Sequence, residues 1–313
     1  MATYSTIKGQ TIQSYATDPV ATEVEGGTWA SGGALSTAVT NMGCAGTQTA
    51  ALSISGSTAA GNTTQVELYD GTSWTVSPVA VNVARASAGG CGTQTAALFT
   101  GGSPGATTAN ELWNGSTWTE LSPPGALTTG RDGNMNFGTS TSAVYAGGDI
   151  GPGTSTADSE TWDGTSWSEG NNLNTGRVAP GGAGTVTAAL CIAGNDPGIT
   201  NVESYDGTCW TETATDINTG RQGGGSSGTS TACTYYGGWA PPNSALTESF
   251  DGSTWTEVGD LATARVAVGG TLSPTSLNTS ALAIGGSTGP PTRLAICEEF
   301  SDPVYSIKTV TVS

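Results

Sequence analysis

The chain has 313 residues, of which 11% are charged, with 48 glycines, 14 prolines and no histidine. The lack of histidine excludes Ser-His-Asp and Cys-His nucleophilic catalysis, His-ligated zinc or copper, and imidazole acid–base chemistry. A formal net charge of −17, from 8 basic and 25 acidic residues, repels phosphate backbones and anionic headgroups, so no nucleic-acid or membrane-surface partner is expected.

Residues 1–25 precede the repetitive part of the chain and read as an N-terminal extension. They show no basic stretch followed by an apolar one, so no secretory leader is expected. No apolar run approaches the roughly 20 residues of a membrane helix, so no membrane insertion is expected either. The six cysteines (Cys44, Cys91, Cys191, Cys209, Cys233 and Cys297) contain no C-x-x-C pair and share no register. Most lie among Ala, Leu, Gly and Thr, which reads as small buried hydrophobes in a reducing cytosol, with no disulfide, metal or cofactor role.

From Gly27-Thr28-Trp29 onward the chain repeats itself. Tryptophans at Trp29, Trp74, Trp118, Trp167, Trp210 and Trp255 end six copies of one unit, spaced 43 to 49 residues apart. A period of that length marks stacked or radial repeats. The clearest unit, Ala84 to Leu121, reads ARASAGGCGTQTAALFTGGSPGATTANELWNGSTWTEL, and it returns from Gly130, Gly176 and Gly220. It parses into strand a (86–91), strand b (95–100, ending at Gly101-Gly102), strand c (110–113) and strand d (117–121). The c–d turns Asp70-Gly71, Asn114-Gly115, Asp163-Gly164, Asp206-Gly207 and Asp251-Gly252 have the chemistry of type I′ hairpins. Small residues in strand a and aromatics on c and d describe a propeller blade, narrow at the axis and wide at the periphery.

The last unit has Arg265, Gly285-Gly286 and Glu298-Glu299-Phe300 but no following tryptophan strand. The missing strand is the one at Trp29. The predicted fold is therefore an all-β, six-bladed propeller over 26–300, with four antiparallel strands per blade and an N-terminal strand completing the last blade. Residues 301–313 alternate like a strand and are expected to pair with the N-terminal extension or with a partner.

Two charges recur. Arg85, Arg131, Arg177, Arg221 and Arg265 open strand a, with Val39 in their place in the first unit. Glu67, Glu111, Glu160, Glu203, Glu248 and Glu298 each precede the strand-c aromatic by two residues. Both sets belong to the rim that carries the b–c and d–a loops, so they are expected to pair and fix blade geometry. The competing reading, arginines facing the axis to bind an anionic sugar, fits poorly with an identical residue in nearly every unit. The Asp-Gly turns offer one carboxylate each, too few oxygens for a calcium ion. The b–c loops vary from unit to unit, and variation of that kind locates function. Trp239 with Pro241 and Pro242 reads as a sugar-stacking platform, and Asp149, Asp196 and Arg293 add polar groups to the same rim.

The order Arg, Gly-Gly, aromatic-Asp-Gly, Trp resembles the kelch repeat over roughly residues 26–300. The wording GTQTAAL, YDGTSWTE and LNTGR resembles kelch-like propeller proteins of tailed phages that infect marine bacteria. The resemblance implies the fold and a virion context, assembled in host cytoplasm, and leaves activity open. The expected function is a non-enzymatic structural and adhesion protein, as a capsid decoration or tail fibre component. Other virion proteins would hold it through 1–25 and 303–313, and its variable rim would meet host-surface carbohydrate. A stand-alone lectin is the alternative, and a glycan-cleaving propeller finds no catalytic constellation here.

Overall fold

The computed structural model describes residues 26–302 apart from 152, 196, 197 and 274. These form a β-propeller of six blades with no helix among the described residues. Blade 1 consists of strands a to d at Gly43–Thr47, Ala50–Ile54, Val66–Tyr69 and Trp74–Val76. Blade 2 consists of Gly89–Thr93, Ala96–Thr100, Asn110–Trp113 and Trp118–Leu121. In blade 3 the strands are Met135–Thr139, Ser142–Ala146, Ser159–Trp162 and Trp167–Glu169, and in blade 4 they are Gly181–Thr185, Ala188–Ile192, Val202–Tyr205 and Trp210–Glu212. Blade 5 runs through Gly225–Thr229, Ala232–Tyr236, Thr247–Phe250 and Trp255–Val258. Every strand pairs antiparallel with the next in its blade.

Blade 6 is assembled from both ends of the propeller. Strand b is Ser280–Ile284, strand c is Cys297–Ser301, and the outer strand is Thr28–Ser31, in register Trp29 opposite Phe300. Its innermost strand is reduced to the segment around Gly269, held to Ile284 by a single bridge. Closure against blade 1 uses Gln48, whose side-chain amide donates to Phe300 O at 2.6 Å and Ala281 O at 3.1 Å, and Tyr69, whose hydroxyl donates to Glu299.

Strand a begins later than its sequence suggests. Ser87 has φ +54° and Ala86 makes one bridge to Ser103 in the rim, so the regular strand of blade 2 starts only at Gly89. Strand a is small because inner strands of adjacent blades nearly touch. A Cβ on Gly90 would lie 2.6 Å from Cys44 O. Further out, each strand-c aromatic faces the strand-d tryptophan of its own blade, with ring centroids 4.8 to 5.5 Å apart in all six blades. Such pairs add about 0.5–1.5 kcal/mol each beyond burial.

The c–d hairpins depart from the type I′ expectation. Positive φ is confined to the glycine (Gly71 +93°, Gly164 +94°), whereas a type I′ turn requires two successive positive-φ residues. The second left-handed residue is unnecessary because the aspartate holds the loop itself. Asp70 Oδ1 accepts from the Thr72 and Ser73 amides at 2.9 and 2.8 Å, and Asn114 Oδ1 does the same in blade 2. The Thr72 hydroxyl and these two amides push the Asp70 carboxyl down to about 2.

Three outcomes follow from this architecture. Trp29 packs 4.8 Å from Tyr236 and donates its indole N–H to Thr247 Oγ1 at 2.9 Å, so Trp29→Ala should cost about 3 kcal/mol, read by denaturant unfolding. Removal of residues 1–31 should abolish cooperative melting at the wild-type temperature. For the turns, a folded pKa below the unfolded one means stability that is full above about pH 4 and lost as pH falls toward 2. The melting-temperature gap between wild type and Asp70→Asn should therefore narrow between pH 5 and pH 2. A constant gap would show that the carboxylate charge contributes nothing.

Candidate functional site

All five repeat arginines are buried, at 0–1% exposure, and each is paired with the strand-c glutamate of its own blade. The contacts are 3.1 Å for Arg85–Glu111, 2.7 Å for Arg131–Glu160 and 2.5 Å for Arg177–Glu203, with Arg221–Glu248 and Arg265–Glu298 completing the set. The second carboxylate oxygen of each glutamate accepts the backbone N–H of the residue three before the arginine: Asn82, Thr128, Asn174, Asn218 and Ala262. The guanidinium also donates to carbonyls of its own blade, as Arg177 does to Ala193 and Asn201 at 3.0 and 2.9 Å. In blades 2, 3 and 5 it lies over the ring of Phe99, Tyr145 or Tyr235 at 4.3 to 4.8 Å. Burial pushes the Arg85 pKa down, and Glu111 opposes that shift. Arg85, Arg131 and Arg265 each leave Nε without a partner, but every guanidinium of this ring is buried inside its blade and paired with a carboxylate, so the ring presents no charge to a ligand at the axis.

Blade 1 solves the same problem without a guanidinium. Glu67 accepts from the Ser36 amide and hydroxyl at 2.8 and 2.9 Å and from the Gln65 amide at 2.8 Å. Sequence reasoning missed this substitution, although Gln65 occurs at that register in no other blade and signals it.

The variable rim residues occupy separate places. Asp149 in blade 3 is spent on its own loop, accepting the amides of Gly151, Gly153 and Thr154 at 2.9, 3.2 and 3.1 Å. It also bridges Asp132, whose carboxyl is pushed up by burial and then by Asp149. Asp196 lies outside the described residues. Trp239 in blade 5 is half-buried and backbone-paired with Gln222, while Pro241 and Pro242 are exposed beside it. Arg293 lies in blade 6, the neighbouring blade, and the two loops are tied by Asn243 Nδ2 donating to Ser287 O at 3.1 Å. Asp149 sits across the ring from Arg293, so the structure does not join them in one site.

What the structure adds is a cleft of about 420 Å³ on this rim, where ring closure sets blade 6 beside blade 1. Arg293, Pro290 and Pro291 form one side, and Thr40, Asn41 and Ser57 the other. Its volume falls within the range of small-molecule sites, about 300–1,000 Å³. The axial channel is narrower, about 110 Å³, and its wall carries the Asn136 amide, 1% exposed with neither polar atom bonded. That space suffices for several waters. Among the described residues no cluster of three potential metal ligands occurs, and the turn aspartates point into their own loops. Cysteines 44, 91, 191, 233 and 297 are buried free thiols, whereas Cys209 is exposed in a c–d turn.

No family model matches the chain, and no curated protein matches it.

Removing a guanidinium from this ring strands a buried carboxylate. Arg177→Ala should cost about 3–5 kcal/mol by denaturant unfolding, while the double variant Arg177→Met with Glu203→Gln should recover much of that loss. Equal losses in the single and double variants would show that the carboxylate is not the source of the cost.

Proposed function

We propose that the chain is a non-catalytic structural and adhesion protein of a phage particle, presenting its b–c rim to host-surface carbohydrate. One observation supports the reading above others: the repeated charges are consumed inside the blades, while the residues that differ between blades lie along a single rim, which also carries a sugar-sized cleft lined by Arg293. Trp239 offers an aromatic face and the cleft offers hydroxyls beside apolar walls, which is the composition that recognises a pyranose ring. The particle context rests on the resemblance to phage-encoded kelch-like propellers. Attachment through residues 1–25 and 303–313 lies outside the described residues and is part of the proposal. The opposite rim carries the five near-identical c–d hairpins, a regular surface suited to facing the particle.

Mass spectrometry of purified particles should find the chain at stoichiometric abundance, and Trp239→Ala should reduce adsorption of the particles to host cells by tenfold or more. Absence from particles combined with retained glycan binding would establish a stand-alone lectin instead. Turnover of a sialoside or polysaccharide by the purified chain would overturn the non-catalytic reading.

A further inference from the structure

We propose that the cleft between blades 6 and 1 binds a carboxylate carried on a compact, ring-sized body, with Arg293 as its counter-charge. The inference rests on reading the rim as the recognition face and goes further by naming the ligand chemistry.

Arg293 differs from every other arginine in the chain. The other five are sealed against glutamates, whereas Arg293 has no carboxylate within ion-pair distance among the described residues. It is half-buried and lines the cleft. Its Nη2 donates to Ser57 Oγ at 3.1 Å and its Nη1 makes a long contact to Pro291 O at 3.4 Å, while Nε has no partner. Three of its five N–H donors are therefore uncommitted. The bond to Ser57 reaches across the blade boundary, so the guanidinium is positioned before any ligand arrives.

None of the residues lining the cleft is acidic. An anion entering it meets one uncompensated positive charge, the two uncommitted Nη N–H donors of Arg293 and the hydroxyls of Ser57 and Thr292. The −17 of the whole molecule opposes entry, but most of that charge lies elsewhere on the ring, and screening sets in beyond about 8 Å at physiological ionic strength. A singly charged carboxylate suffers that field half as much as a phosphate dianion does, and its planar geometry matches the guanidinium fork. The walls supplied by Val266, Ala267, Pro290 and Pro291 are apolar, so the body behind the carboxylate needs a non-polar face, as a pyranose has.

Methyl glucuronide and its neutral counterpart methyl glucoside serve as probes for the full chain by titration calorimetry and saturation-transfer NMR. The glucuronide should bind at least tenfold more tightly than the glucoside, and more weakly as salt rises. Arg293→Gln should erase that difference. Arg293→Lys, which keeps the charge and loses the fork, should restore only part of it. Melting temperatures of both variants should match wild type, since Arg293 belongs to no blade-internal pair. Equal affinity for the two probes, or a glucuronide preference that survives Arg293→Gln, overturns the inference. Should neither probe bind while host glycan binding is retained and lost only in Trp239→Ala, the carboxylate site is refuted and the rim reading stands. Loss of all glycan binding refutes both.

Discussion

One residue position holds the blades to each other and to themselves. The side chain of the repeat arginine is bound to the strand-c glutamate within its own blade. Its backbone carbonyl accepts the N–H of the glycine that ends the left-handed residue pair after strand b of the preceding blade: Gly56 to Arg85, Gly102 to Arg131, Gly148 to Arg177, Gly194 to Arg221 and Gly238 to Arg265, each at 2.8 to 3.1 Å. The sixth link, Gly286 to Val39 O at 3.0 Å, closes the circle. Both residues of each pair are left-handed, at φ +65° and +103° for Gly101 and Gly102, and a Cβ on Gly101 would lie 2.0 Å from the Tyr145 hydroxyl. The second residue is glycine in all six blades, where a Cβ would come within 2.7 to 3.0 Å of its neighbours, whereas the first is Ser55 in blade 1 and Ala193 in blade 4, so glycine is needed at the first position only where the next blade fills the space, as Tyr145 does at Gly101.

This arrangement also explains what could and could not be read from the sequence. The repeat period, the aromatic–tryptophan pairs and the split last blade were legible because each is a pattern of side chains at fixed spacing. The link from Gly102 to Arg131 O was not, since it joins two peptide groups and leaves no trace beyond a glycine that many structures would use. The start of strand a was misplaced for a related reason. Ala86 and Ser87 resemble the small residues that follow, yet Ser87 is left-handed and its amide reaches Asn41 O in blade 1. The turns misled because Asp-Gly suggests two left-handed residues, whereas Asp70 holds its loop by side-chain capping. The cleft was invisible altogether. Ser57 and Arg293 stand 236 residues apart, and only closure of the ring makes them neighbours.

Buried ion pairs are weak grounds for stability, since desolvation offsets much of their attraction. Blade 1 makes the same point from within the molecule. Val39 and Gln65 replace the guanidinium with neutral groups, and Glu67 remains buried and fully bonded. The arginine is thus not required for a blade to form. Its five-fold repetition is better explained by direction: a planar fork that reaches a carboxylate and nearby carbonyls together tolerates one register of strand a against strand c.

That rigidity permits the rim to vary without disturbing the ring. The residue immediately after each arginine is unconstrained in type: Thr40 after Val39, then Ala86, Asp132, Val178, Gln222 and Val266. Five of the six are held by a backbone bridge to the first residue beyond the left-handed pair of the same blade, as Gln222 is to Trp239 and Val266 to Ser287, while in blade 4 the Val178 N–H donates to the Asn195 side chain instead. Because main-chain atoms make these bonds, a change of side chain leaves them intact. A single step along the chain therefore passes from a position fixed by two blades to one free to take any side chain, and Arg293 and Trp239 lie in loops that begin at these bridges.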